Sequence, residues 1–239
     1  EQEALEKRYE AAVAEARDRS CEPVLRDFED ATARSKAVIA RPLLETARLA
    51  SKEDLKNVVV TNGYISQKPL QELLPYIDAF NVDLKAFTNT FYKHYTSASL
   101  TPVLETLKSI HKAGKHLELT NLVIPDVNDD EKIFEQMVKW IAAELGENTV
   151  LHLSRYFPTY KMVNNSTPPI LLDTLKDIAD QYLKYVYLGN LRSNSGQNTF
   201  CPECGAMAIK RAGHLVSYHS LGRDGKCTEC SHLIEGIVL

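Results

Sequence analysis

Five short apolar runs, separated by amphipathic stretches, constrain the fold of this chain more than any other feature. The runs cover residues 57–61, 79–84, 117–124, 149–153 and 185–188. Stretches with helical periodicity separate them, at residues 69–76, 100–112, 131–145 and 171–183. Strands joined by helices of this length need crossover connections, which make neighbouring strands parallel. We therefore predict an α/β fold, a partial (β/α) barrel of about five parallel strands at residues 46–192.

Residues 1–45 differ from this pattern and are predicted to form a helical N-terminal segment. The stretch from Glu1 to Arg19 contains no Gly or Pro, and its apolar residues recur at steps of three and four. Similar stretches cover residues 24–40 and 43–55. We expect these helices to lie on the surface or to dock a partner. Because the first residue is not methionine, we expect a processed or excised piece of a longer protein.

Two cysteine pairs near the end of the chain predict a metal-binding module at residues 193–239. Cys201 and Cys204 form one C-x2-C pair, Cys227 and Cys230 form the other, and 22 residues separate the two pairs. Thiolates at this spacing can surround one tetrahedral ion, which favours a zinc-ribbon-like module. Zinc suits four thiolates better than iron does. Two disulfides or four free thiols are the alternatives.

Glycines stand close to both cysteine pairs, where the backbone has to turn tightly. Gly205 follows the first pair directly, and Gly222 and Gly225 lead into the second. Glycine adopts such turns without steric cost. Alternating residues around 208–211 and 214–216 predict small strands between the pairs.

Composition excludes several classes of function. The net charge of −4 provides no broad basic field that would attract nucleic acid or an anionic membrane. No apolar run approaches the roughly 20 residues that span a bilayer. Residues 1–20 lack the apolar centre of a signal peptide. We therefore expect a cytoplasmic protein that binds neither membranes nor nucleic acid.

Polar residues lie at or near the carboxyl ends of the predicted strands, where parallel α/β folds bind ligands. Asn62 follows the first strand, Asp83 and Lys85 end the second, and His152 lies on the fourth. Asp83 and Lys85 are two residues apart, so their side chains face the same side and could bind one polar ligand. Taken singly, the simpler interpretations are an ion pair, a hydrogen-bonded core histidine and a turn asparagine.

Taken together, these segments resemble radical S-adenosylmethionine enzymes, and most closely the branch of the pyruvate formate-lyase activating enzyme. The likeness is carried by an ordered set of segments: Val60–Tyr64, Asn81–Phe87, Glu118–Asp129, Leu151–Pro158 and Tyr185–Asn190. The cysteine-bearing tail is similar to that of one subgroup, named for the AmmeMemoRadiSam system. The resemblance covers roughly residues 46–239.

The resemblance implies a partial barrel that holds S-adenosylmethionine at its rim. Asn62, Asp83, Lys85 and His152 match positions that line the methionine and ribose pocket of the activating enzymes. In this family a [4Fe–4S] cluster reductively cleaves the sulfonium, and the resulting 5′-deoxyadenosyl radical abstracts hydrogen from a substrate, here unknown.

One part of the family pattern is missing from this sequence. Three cysteines at C-x3-C-x2-C spacing hold the cluster in the family, and the five cysteines here include no such triplet. Only Cys21, expected to be a structural cysteine, precedes the tail. We therefore predict a truncated or inactive form that does not generate the radical as it stands.

Two alternatives remain. The first is a non-catalytic zinc-binding interaction protein, built on a half-barrel remnant. The second is that residues 1–45 come from an unrelated gene or an assembly error, in which case the chain would fold poorly. If no earlier strands exist, the strand at residues 58–61 would be an open sheet edge. We expect the N-terminal helices or a second copy of the chain to cover that edge.

Overall fold

The structure is a computed structural model that describes residues 42–191, 196–213 and 215–236. Cys21 and the helices predicted within residues 1–41 lie outside the described residues. The chain divides into two units, Glu1–Glu53 and Asp54–Leu239. The described part of the first unit contains a helix, α1, at residues 42–52. The parallel sheet and the cysteine-bearing tail both belong to the second unit.

Five parallel strands form one sheet in the described part of the chain, and their order in the sheet is their order in sequence. The strands are β1 (Val58–Thr61), β2 (Ala79–Asp83), β3 (His116–Val123), β4 (Val150–Arg155) and β5 (Val186–Gly189). Each predicted strand agrees with its observed bounds to within two residues. The predicted α/β fold and the five-stranded partial barrel are confirmed.

Helices form the crossovers between these strands. They are α2 (Gln67–Leu73), continued by a 3-10 turn at Leu74–Tyr76, then α3 (Asn89–Thr96), α4 (Leu100–Lys112), α5 (Glu131–Leu145) and α6 (Pro169–Ala179). The periodicity predicts α4 and α5 with their observed bounds, and it misses α3. Among the described helices, none combines the length and the apolar character needed to cross a membrane.

The two faces of the sheet differ in polarity. On one face Val82, Leu119 and Leu151 are fully buried, together with Val138 and Ile141 of α5. The residues between them along each strand point to the other face, and their side chains are mostly polar and half-buried. Period-2 alternation therefore gives the sheet one apolar face under the helices and one polar face towards the interior of the partial barrel.

The tail forms a second, antiparallel sheet that shares a hydrophobic core with the first. Its strands are β6 (Thr199–Phe200), β7 (Met207–Ala212) and β8 (Leu215–Tyr218). The strands β7 and β8 confirm the small strands predicted between the cysteine pairs, and β6, just before Cys201, was not predicted. Val150 begins β4, and Tyr185 directly precedes β5. Both pack with four tail residues: Cys201, Ala208, Cys227 and Ile234. The predicted domain boundaries at residues 45 and 192 stay predictions.

Candidate functional site

Strand pairing places two of the predicted site residues in one row across the polar face. Asp83 pairs with Thr120, Thr120 with His152, and His152 with Tyr187. Neighbouring strands lie about 4.8 Å apart, so Asp83 and His152 are separated by roughly 10 Å of sheet. One small polar ligand lying on this row can therefore contact both side chains.

Lys85 and Asn62 lie next to this row, beyond the carboxyl ends of β2 and β1. The Lys85 Nζ atom is 2.8 Å from Asp83 Oδ2, so the two form an ion pair. The Asn62 side chain accepts a hydrogen bond from the Tyr64 N–H at 3.0 Å, as in an Asx turn. Gly63 adopts a φ of +71° there, and a Cβ at this position would lie 2.8 Å from Val82. The simpler interpretations of these residues, an ion pair and a turn, therefore describe their local contacts.

Three side chains hold the backbone of Lys85 in place. The Lys85 N–H donates to Tyr92 Oη at 3.2 Å, while Asn128 Nδ2 and Asn121 Nδ2 donate to its carbonyl oxygen at 2.6 and 3.2 Å. Burial raises the pKa of Tyr92 to about 12, so its hydroxyl stays protonated at neutral pH. The lysine at the end of β2 is thus fixed by residues of α3, β3 and the loop before α5.

Glu118 bridges two histidines on the polar face. Its Oε1 atom lies 3.1 Å from His116 Nε2, and its Oε2 atom lies 2.8 Å from His152 Nε2. The hydrogen bonds from His116 and His152 hold the pKa of Glu118 well below its usual range. The contacts of His116 with Glu118, and with Glu235 at 3.8 Å, raise the pKa of His116 to about 9 despite partial burial. At neutral pH this is a carboxylate beside an imidazolium.

Tyr187 of β5 and two residues of the tail form a wall along this polar face. The Tyr187 ring stacks on His152 with a centroid distance of 5.5 Å, and its hydroxyl is 2.8 Å from Thr199 Oγ1. Arg211 donates to the same Thr199 oxygen at 2.8 Å, and its guanidinium lies 5.4 Å from the Tyr187 ring centre. A cavity of about 760 Å³ lies between this wall and the sheet, and Glu118 and His152 line it.

A second cavity, of about 580 Å³, lies at the carboxyl-terminal rim of the sheet. Lys85 lines it together with Phe91, Tyr95, Arg155 and Phe157. The Arg155 guanidinium lies 4.6 Å from the Phe157 ring centre. Lys85 therefore faces the rim cavity, His152 faces the larger cavity, and Asp83 lies on the sheet between them.

Sequence reasoning missed most of the partners in this site. His116, Tyr187, Thr199, Arg211 and Glu235 were not predicted as site residues. One signal was available: His116, Glu118 and Thr120 alternate along β3, so a polar side chain faces the interior three times in succession. The tail contacts had no comparable signal, because they depend on how two separate sheets pack.

The four tail cysteines converge as a metal centre requires. The Sγ atoms of Cys201 and Cys230 are 3.5 Å apart, those of Cys204 and Cys227 are 3.6 Å apart, and all four lie within 4.8 Å of one another. Zinc–sulfur bonds of about 2.3 Å arranged tetrahedrally place sulfurs about 3.8 Å apart, which fits this cluster. All four are free thiols rather than disulfides.

Both cysteine pairs use the same backbone turn. Gly205 donates its N–H to the Cys201 carbonyl at 2.9 Å, and Ser231 donates to the Cys227 carbonyl at 2.8 Å. Both residues have positive φ, +72° and +64°. Gly205 therefore occupies the turn expected of it. In the second pair the equivalent residue is Ser231, while Gly225, at a φ of +77°, turns the backbone ahead of Cys227 as expected.

The thiols of the cluster do not ionise equally. Burial opposes ionisation of Cys201, but N–H groups of Cys204 and Glu203 outweigh it and lower the pKa to about 7. The His232 N–H favours ionisation of Cys230, yet burial and the neighbouring thiols raise its pKa to about 12. Four thiolates this close need a cation between them, because their mutual repulsion is otherwise uncompensated.

Comparison with curated proteins finds two partial relatives. The uncharacterized protein MJ0808 of Methanocaldococcus jannaschii is 41% identical over 200 residues, which are 81% of this chain and 58% of that protein. The (2S)-3-sulfopropanediol dehydratase activating enzyme of Klebsiella oxytoca is 30% identical over 111 residues, 44% of this chain and 35% of that enzyme. The chain thus spans less than two thirds of either relative. No family profile matches it.

Two solved structures share the fold. A domain of pyruvate-formate lyase-activating enzyme from Bacteroides vulgatus superposes with a TM-score of 0.58 at 16% identity, over 65% of this chain and 94% of that domain. Streptococcus suis SuiB bound to S-adenosylmethionine superposes with a TM-score of 0.51 at 10% identity, over 62% of this chain and 36% of SuiB. The chain therefore has the fold of these two solved structures. The resemblance is confirmed at this level, and the AmmeMemoRadiSam subgroup stays a prediction.

Proposed function

We propose that this chain provides the S-adenosylmethionine-binding sheet of a radical S-adenosylmethionine enzyme, of activating-enzyme type and of the AmmeMemoRadiSam subgroup. The observation that carries the proposal is the row from Asp83 through Thr120 to His152, with Lys85 beside it at the carboxyl edge. The four predicted residues come from three different strands or their ends. A row that joins two cavities suits an elongated ligand with several polar groups.

Each residue has a role that its chemistry supports. The Asp83 carboxylate and the His152 ring accept hydrogen bonds from ribose hydroxyls. The Lys85 ammonium donates to the methionine carboxylate, for which its ion pair with Asp83 already places it at the edge of the row. Asn62 keeps its amide N–H groups for the methionine end, because its carbonyl oxygen is engaged in the Asx turn.

The described residues do not fit the [4Fe–4S] cluster that the fold family implies. That cluster, when bound, supplies the electron that splits the sulfonium. The four described cysteines converge on a point suited to one ion, and they leave no coordination position free. We therefore derive no cleavage step from this chain, and we propose that it does not form the radical without three thiolates supplied from elsewhere.

We propose Zn²⁺ as the occupant of the tail centre, held by Cys201, Cys204, Cys227 and Cys230. Four thiolates at tetrahedral spacing favour zinc. Such a closed site is structural, and free thiols persist in a reducing compartment such as the cytoplasm. Elemental analysis of the purified protein tests this assignment: we expect one zinc per chain, and iron without zinc would contradict it.

Calorimetric titration with S-adenosylmethionine tests the pocket. We expect the wild-type chain to bind it, and Asp83→Asn and His152→Ala to weaken binding by roughly tenfold each, since each removes a hydrogen bond to the ligand. Asp180→Asn is the matched control, because Asp180 forms an exposed ion pair with Lys176 on α6. Unaltered affinity in both site variants would exclude this pocket.

A second candidate function rests on the edge of the sheet. Val58 and Val60 on β1 are 60% and 77% exposed, and β1 is the outermost strand in the described sheet. An edge strand pairs with another chain through its unbonded backbone N–H and C=O groups, and exposed valines on it add apolar contact area. We propose that a protein partner or a second copy of the chain covers it, as a non-catalytic interaction protein would require. A monomer by light scattering at high concentration, with no S-adenosylmethionine affinity, would contradict both functions.

A further inference from the structure

Glu118 lies one step along β3 from the row that carries the proposed pocket. It pairs with Asn81 and Val150, while the row itself passes through Thr120, two residues later. Its Oε2 atom lies 2.8 Å from His152 Nε2, and the two side chains are 34% and 32% exposed. The carboxylate therefore reaches His152 from the side away from the carboxyl-terminal rim.

This contact determines which nitrogen of His152 faces a ligand. An ionised carboxylate only accepts hydrogen bonds, so the Nε2 atom of His152 has to carry the hydrogen. In the neutral ring the Nδ1 atom is then the acceptor. Tyr187 stacks on the ring at 5.5 Å and restricts its rotation. Glu118 and Tyr187 together leave His152 one orientation with one accepting nitrogen.

His116 compensates the charge that would otherwise disturb this arrangement. It lies 3.1 Å from the other oxygen of Glu118, and Glu235 of the tail lies 3.8 Å from its Nδ1 atom. Arg211 faces the same cavity from β7. The positive charges of His116 and Arg211 thus balance the negative charges of Glu118 and Glu235. Glu118 can therefore stay ionised beside a neutral His152 ring.

We propose that Glu118 is a positioning residue for His152: it fixes the ring as the Nε2–H form, so that Nδ1 accepts a hydrogen bond from a hydroxyl group of the bound nucleoside. The proposal rests on the function proposed above, and it adds the group that determines which ring nitrogen of His152 carries the hydrogen. The tail takes part as well, because Thr199 and Arg211 hold the tyrosine that stacks on the ring.

Nitrogen-15 NMR of the full chain tests the first half of the proposal without any ligand. Long-range ¹H–¹⁵N correlations distinguish the two neutral tautomers of a histidine ring, with His152→Gln assigning the signals. We expect wild-type His152 to be the Nε2–H form, and Glu118→Ala to give a mixture of both forms. A predominant Nδ1–H form in the wild type, or an unaltered tautomer in Glu118→Ala, would overturn the proposal.

A double-mutant cycle tests the second half. We expect Glu118→Ala to weaken S-adenosylmethionine binding by roughly three- to tenfold, and to have no such effect in a His152→Ala background. Additive losses would mean that Glu118 does not act through His152. Glu118→Met, which keeps a similar side-chain volume and offers His152 no oxygen acceptor, replaces Glu118→Ala if circular dichroism shows that the alanine variant fails to fold.

The two experiments separate this proposal from the proposed function. If the wild-type chain does not bind S-adenosylmethionine, the proposed function fails, and the nucleoside half of the inference fails with it. The tautomer measurement still decides whether Glu118 positions His152. If binding is normal and the tautomer is the wrong one, the proposed function stands and the positioning role is rejected.

Discussion

At the scale of single residues, each candidate site contains one residue with an unusual conformation or charge environment: Ser231 beside the cysteine cluster and Lys85 beside the polar row. Ser231 adopts positive φ directly after Cys230, where the first cysteine pair has a glycine. Lys85 is fixed by its backbone rather than by its side chain, which leaves the ammonium group free to exchange Asp83 for a ligand. A change at Ser231 or in the contacts of Lys85 should therefore affect both the folding free energy and the candidate site beside it.

Replacement of Ser231 by glycine should stabilise the tail. A non-glycine residue at a φ of +64° is strained, and glycine removes that strain. We expect Ser231→Gly to raise the free energy of unfolding by about 0.5–1 kcal/mol, measured by urea unfolding of the metal-bound protein. Gly205→Ala is the converse control. Its new Cβ would meet no atom within 4 Å, so any loss there reports backbone strain alone.

The pair of His116 and Glu118 should make stability depend on pH. Folding raises the pKa of His116 from 6.5 to about 9, so its contribution is complete below about pH 6.5 and is lost as the pH rises through 9. The pKa of Glu118 is lowered from 4.5, so its contribution is present above pH 4.5 and is lost as the pH falls towards the folded value.

We therefore expect the stability difference between the wild type and His116→Gln to be largest near pH 5–6.5 and to shrink towards pH 9. Urea unfolding midpoints at several pH values measure this difference. A variant of the exposed His111, His111→Gln, is the control for general effects of histidine removal. A constant difference across the range would show that the His116 contact does not stabilise the folded state.

At the scale of elements, the sequence predicts what periodicity alone determines. The helices α4 and α5 have regular apolar stripes, and their predicted bounds match the structure. Helix α3 was missed because Asn, Thr and Tyr, all weak helix formers, make up most of it. Burial of Phe91 and Tyr92 in the core stabilises it instead, together with a local cap at its start.

Loss of that cap should destabilise the chain. The Thr88 side chain accepts a hydrogen bond from the Phe91 N–H at 3.2 Å. We expect Thr88→Ala to cost about 1 kcal/mol of unfolding free energy, read from urea denaturation. Ser99→Ala at the start of α4 is the matched control, because Ser99 stands at the same position and makes no capping hydrogen bond. Equal losses in both variants would refute the cap as the cause.

At the scale of the whole molecule, the site depends on packing that no local pattern indicates. The cysteine spacing predicted the four-thiol cluster, and the family resemblance predicted Asp83, Lys85 and His152. Glu118 and His152 are 34 residues apart, and their contact exists only because β3 and β4 are neighbours. The shared core of the sheet and the tail likewise requires the three-dimensional structure, since Val150 and Ile234 show no common motif.

That shared core couples the metal centre to the sheet. Cys201 and Cys227, two of the proposed metal ligands, are also buried in the core that includes Val150 and Tyr185. Removal of the ion should therefore destabilise both sheets and not the tail alone. An ion present at about 1,000 times its Kd stabilises the folded state by about 4 kcal/mol, which for a chain of this size is roughly 8–16 °C in Tm.

We expect calorimetry of the chelated protein to show one unfolding transition, lowered by roughly that amount, and restoration of the original Tm when Zn²⁺ is added back. Near-ultraviolet circular dichroism should lose the signal of Tyr187 on chelation, because Thr199 and Arg211 of the tail hold that ring. Two separate transitions, the higher one unaffected by the chelator, would mean that the tail is an independent module. In that case the tail would have no part in orienting His152.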